Sequence, residues 1–281
     1  MSKNIRITAL VLVLLLTFFS GFALGKSKGF NLNITNNPYG TTAPDKDKAK
    51  TTTEPTTAPA APETDSKKPT KPLKAPKGAD AVVAAYNKAV NAAKRSETLT
   101  IRKTVTLQME PGAIKPGLAK GASQSAIKNA VNPTEETYTV KSGAEQTAKD
   151  ILAPAGKASK LRPDDVIAAK AKAQDGGYVI VIKLKPETAS FDGETTAQAK
   201  AHSACLTMPD PAAMTAFGVK LKTAEVNYTG TTLRATVDNS GKLTKVEYTL
   251  PFSAALTGKF YLSKWNAAVD GTMTETMELS A

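Results

Sequence analysis

In "TLTIRKTVTLQME", residues 98–110, large apolar side chains recur at every second position. Leu99, Ile101, Val105, Leu107 and Met109 share one face, with Lys103 the single exception. Thr98, Thr100, Arg102, Thr104, Thr106 and Gln108 share the other. Side chains alternate across a strand, so this period fits a half-buried strand of antiparallel type and no helix. One such strand cannot stand alone. It requires neighbours with the same alternation and a layer to cover its apolar face.

The neighbours are present. "ETYTVKS" and "YVIVIKLK" read as strands, and the last third of the chain reads as strand after strand: "AEVNYT", "TTLRATV", "KLTKVEYTL", "SAALTGKFYL" and "GTMTETMEL". Turns are expected around Gly230 and at "DNSG", residues 238–241, giving a run of hairpins. Helical spacing appears after Asp80, a candidate cap, where Val82, Tyr86, Ala89, Val90 and Ala93 fall on one face. "PDDVIAAKAKA", beginning at Pro163, reads as a short helix with aspartates at its positive end, stopped by Gly176-Gly177. "TTAQAKAHSACL" and "AAMTAF" read as two more, broken by Pro209 and Pro211. The sum is an α+β domain over 79–281: a curved, mostly antiparallel sheet of about six to eight strands with helices packed on one face. The glycine- and lysine-rich stretch 111–131 interrupts the strands, as a flap over a mouth or as a surface loop.

Two other segments precede that domain. Lys3 and Arg6 lead into an uncharged run from Ile7 to Gly25, long enough to span a bilayer. Ala23 and Gly25 also suit a signal-peptide cleavage site before Lys26. Residues 1–25 therefore read as a signal peptide or as an uncleaved membrane anchor, and both place the rest outside the cytoplasm, secreted or tethered. Lipid attachment would need a cysteine at the cleavage point, and the only cysteine is Cys205. A lone cysteine also leaves no internal disulfide. Residues 26–78 are rich in Thr, Pro and Lys, with Leu73 the one large apolar side chain after Lys46. Such a stretch buries too little surface to offset its ordering entropy, so it reads as a disordered, semi-rigid spacer.

Charge and motif content exclude more chemistry than they suggest. The net charge of +12 is spread along the chain, and the domain carries 25 basic against 20 acidic residues. Without a basic stripe and interleaved aromatics, nucleic-acid binding is not expected. His202 and Cys205 are spaced to face one metal from a helix, but a site needs three or four ligands and no other His or Cys exists. No metal or cofactor is expected, and Cys205 reads as a small core residue. Ser125 and Lys128 fit S-x-x-K without the companion motifs of that chemistry. Gly112 and Gly117 have phosphate-loop spacing, but Leu118 stands where the lysine belongs. Glu135-Glu136 would point to opposite faces of a strand, and Asp164-Asp165 reads as helix capping. No catalytic residue is assigned, and the chain reads as a non-enzyme.

The order of helix, long alternating strand, "LRPDDVIAAKAKAQDGGYVIVIKLK" and late hairpins with "VDNSGKLTKVEYTL" resembles bacterial envelope proteins of the LolA/LppX type. It is also similar to exported, function-unassigned domains of clostridial-type bacteria that share the D-x-x-G-K-L hairpin. The resemblance covers residues 80–281. It implies a half-barrel closing over helices and a non-enzymatic binder of an apolar or lipid-like ligand. The chain departs from LppX-type relatives in lacking the lipid-bearing cysteine, and no ligand-contact residue carries over by motif. The alternative expectation is a structural or adhesive surface module that meets another protein through its sheet.

Overall fold

Two 18-residue strands, β9 (Leu243–Phe260) and β10 (Ser263–Ser280), pair antiparallel from Phe260↔Ser263 to Lys245↔Glu278 and form the spine of the domain. At about 3.3 Å per residue each is about 60 Å long. The computed structural model describes residues 73–115, 134–208, 219–260 and 263–280. Residues 1–25, most of the spacer, most of 111–131 and "AAMTAF" lie outside the described residues.

Among the described residues the sheet has ten strands. β1 (Leu99–Lys115) pairs with β10, and β2 (Thr134–Val140) pairs with β1 at that edge. On its other side β9 divides its partners. Its first half pairs with β8 (Thr232–Asp238), which leads to β4 (Gly177–Leu184) and β3 (Val166–Gln174). Its second half pairs with β7 (Val219–Tyr228), which leads to β5 (Glu187–Phe191) and β6 (Thr196–Ala197). All these pairings are antiparallel. The sheet thus has more strands than the alternation alone marks out.

The expected string of C-terminal hairpins is corrected in two places. Residues 243–250 and 253–260 of the two expected segments lie within one strand, passing through Pro251, and β10 likewise runs unbroken through Gly271. β7 and β8 do not pair with each other. They lie end to end along β9, and Pro251 sits at the changeover, where its carbonyl accepts the Thr229 N–H at 3.3 Å. A residue's N and O leave an extended strand on the same side, so the missing proline donor falls where the partner strand changes.

The helix expected over "PDDVIAAKAKA" is also corrected. Pro163–Asp165 make a single 3-10 turn, and β3 follows at once. Gln174 pairs with Gly177 across the two-residue Asp175-Gly176 connection, with φ +81° at Gly176. Asp-Gly between alternating runs is a strong hairpin signal, and here it outweighs the helix propensity of alanine and lysine. Ala169 and Ala171 pack against the core while Lys170 is exposed at the sheet edge, a placement that discourages edge-to-edge association.

Helix α1 (Ala79–Ala93) forms as expected, with Val82, Val83, Tyr86, Ala89 and Val90 buried. Its cap is Gly78, at φ +82°, and Asp80 stands inside the first turn instead of capping it. Asn87 and Asn91 donate to the carbonyls of Leu161 and Ser159 at 2.8 and 2.9 Å, fastening the 159–161 segment to the helix. Helix α2 (Ala148–Ile151) is one turn long. Helix α3 (Lys200–Cys205) is shorter than the expected 195–206, because Thr196 and Ala197 pair with β5. Among the described residues no helix is long and apolar enough to cross a membrane.

Candidate functional site

Strand parity divides the sheet into two faces, and the split persists along β9 and β10 from Lys245↔Glu278 to Lys259↔Lys264, where their register never shifts. The inner face carries Ile101, Val105, Tyr248, Leu250, Met273 and Met277, all buried. Lys103 lies on this face, as its position in the alternation demands, and is 4% exposed. Its Nζ stands 3.3 Å from Glu275 Oε1. Glu275 is likewise the one carboxylate in an apolar series, Met273-Glu275-Met277-Leu279. Burial pushes the Glu275 carboxyl above its ordinary range, and Lys103 opposes that shift.

Phenols surround the pair. Tyr86 of α1 donates to the Tyr248 hydroxyl at 3.4 Å, and both are fully enclosed. Burial raises both of their pKa values, with Glu275 adding to each shift. Tyr138 of β2 donates to Glu136, which stands opposite Lys103 in the register. The adjacent glutamates are separated as strand geometry requires. Glu135 meets Arg102 at 2.7 Å on the exposed face, so Glu135 and Glu136 form no acid/base couple.

His202 and Cys205 sit together on α3, both buried. The His202 Nδ1 lies 2.8 Å from Glu187 Oε2 and its Nε2 lies 2.8 Å from the Thr231 hydroxyl. The ring stacks on Tyr228 with centroids 4.7 Å apart. Because a carboxylate only accepts, Nδ1–H donates to Glu187 and Nε2 accepts from Thr231 in the neutral ring. Glu187 also accepts the Ala201 and His202 backbone N–H groups at 2.9 and 3.2 Å, capping the short helix. Desolvation lowers the His202 pKa, against the opposing pull of Glu187. The Cys205 thiol donates to the Ala201 carbonyl at 3.2 Å. No group of three or more metal-ligating side chains occurs among the described residues. Asp165 pairs with Arg162 at 2.9 Å and closes the 3-10 turn. Ser125, Lys128, Gly117 and Leu118 lie outside the described residues.

The outer face holds two open depressions on adjacent rungs. One, of about 740 Å³, is bordered by Gln108, Glu110, Asp270, Thr272, Ser253 and Thr229. The other, of about 530 Å³, is bordered by Ala255, Ala268, Glu225, Ser190, Thr257 and Asn266. Small side chains make the second: Ala268 faces Ala255, which faces Glu225, which faces Ser190. The rungs that flank this second depression oppose like charges. Glu110 faces Asp270, and further along Lys264 faces Lys259. Like charges directly across a strand pair cost stability, about 0.2–1 kcal/mol in comparable pairs.

The signal for the inner cluster was present in the sequence as two charged residues in apolar phase. The outer depressions were not legible, since they depend on which strands are neighbours. No protein-family model matches the chain, and no curated protein or solved structure matches it significantly.

Proposed function

We propose that residues 79–281 form an extracytoplasmic, non-enzymatic α+β module, its helices gathered on the Tyr248 face of a curved sheet, that binds another protein through the outer face. Residues 1–25 export it or anchor it, and the spacer holds it away from the membrane. The observation that carries this reading is the outer depression around Ala255 and Ala268, which lies between the acidic Glu110–Asp270 rung and the basic Lys264–Lys259 rung. Such rungs weaken the isolated sheet, and a partner of complementary charge relieves both. The small residues between them let an extended segment approach the backbone. A photo-crosslinking residue at Ala268 tests it in the exported full chain. The same protein partner should be captured from 268 and not from Val181, which is exposed at a distant part of the outer face. Equal capture from both positions, or none from either, counts against it.

A second reading, the apolar or lipid-like ligand, has one observation in its favour. The indole N–H of Trp265 is buried on the inner face with no acceptor among the described residues. A ligand with an apolar body and a polar end satisfies such a donor. Solvent extraction of the purified protein followed by mass spectrometry distinguishes the two, since only the second requires a co-purifying lipid.

A further inference from the structure

We propose that Lys103 and Glu275 are the two halves of an intramolecular amide cross-link that staples β1 to β10. The pair joins the first strand of the sheet to the last, and each side chain is only 5% exposed. Glu275 faces Val105 and Lys103 faces Met277, so the two reach diagonally across one strand boundary. Their flanks, Ile101, Val105, Met273 and Met277, are buried and apolar. Nothing in this setting resembles a surface ion pair, which would be solvated and exchangeable.

The reaction is a condensation within the pair. The Lys103 ammonium gives its proton to the Glu275 carboxylate, leaving an amine and a carboxylic acid. The Nζ lone pair then attacks Cδ, a C–N bond forms, a Cδ–O bond breaks, and one water leaves. No oxidant, nucleotide or metal is consumed. Two features favour it. The 3.3 Å separation of Nζ and Oε1 brings the nucleophile close to the carboxyl group, the proximity that raises intramolecular rates. The dry surroundings penalise two buried charges, and the amide removes both. Burial also raises the Glu275 carboxyl, which favours the neutral acid. The product ties together the ends of an exported domain in a compartment where this chain forms no internal disulfide.

Peptide mapping of the exported, purified full chain by mass spectrometry tests this directly. The expected result is one branched peptide carrying both segments, lighter by one water than their sum, with the linear Lys103 and Glu275 peptides depleted. Lys103→Met should give only linear peptides. Recovery of both linear peptides at full mass from wild-type protein after prolonged incubation overturns the proposal. That reading is made on the wild-type chain and does not depend on the variant folding.

Discussion

The ring of Phe252 lies directly over Gly271 on the neighbouring strand. A Cβ at position 271 would come within 2.7 Å of the Phe252 Cζ and 2.6 Å of the Gln108 carbonyl oxygen. The phenyl ring fills the place a side chain would take, so β10 crosses this point without a gap. Gly271→Ala should therefore destabilise the domain by about 1–3 kcal/mol, the usual cost of overpacking, because the backbone carbonyl has no rotamer to yield. Chemical denaturation measures it. A stabilisation would mean that only the entropic cost of glycine is felt there.

His202 makes stability depend on acid. Its folded pKa lies below the ordinary 6.5, so the unfolded chain binds the extra proton first as pH falls. The stabilisation is complete above about 6.5 and is lost as pH drops from there through the folded value. Denaturation midpoints at pH 7.5 and pH 5 should differ more for wild type than for His202→Gln. Equal differences would remove His202 from the account.

Lys94 carries an amine of unusual acidity. Its Nζ donates to the carbonyls of Pro154 and Lys157, each at 2.7 Å, and a neutral amine has the two hydrogens this needs. Desolvation, aided by the nearby Lys149 charge, brings its pKa down to about 7. Because the folded value is lowered, the stabilisation is full at high pH and is lost as pH falls toward 7. NMR titration of labelled lysine side chains should show a Lys94 midpoint near 7. A Lys94 midpoint near 10 contradicts this.

Much of this architecture was legible from alternation, because period two fixes both strand identity and buried face. Lys103 stood out in the sequence for that reason, and the structure buries it. What alternation cannot give is the partner of each strand. β7 and β8 look like a hairpin around Gly230 yet share β9 end to end, and only the position of Pro251 hints at the changeover. β3 misled for a different reason. Its alanines and lysines favour helix in isolation, and the Asp175-Gly176 turn with the apolar run of β4 overrides that preference. The outer depressions arise from residues on separate strands, so no short motif marks them.

The outer face as the binding surface is tested most directly by the affinity of the captured partner for wild type and for Ala268→Arg, measured at one salt concentration. The substitution is exposed and leaves the core untouched. The account predicts at least a tenfold loss, about 1.4 kcal/mol, from filling the depression between the charged rungs. Unchanged affinity, with the variant as stable as wild type, would contradict it.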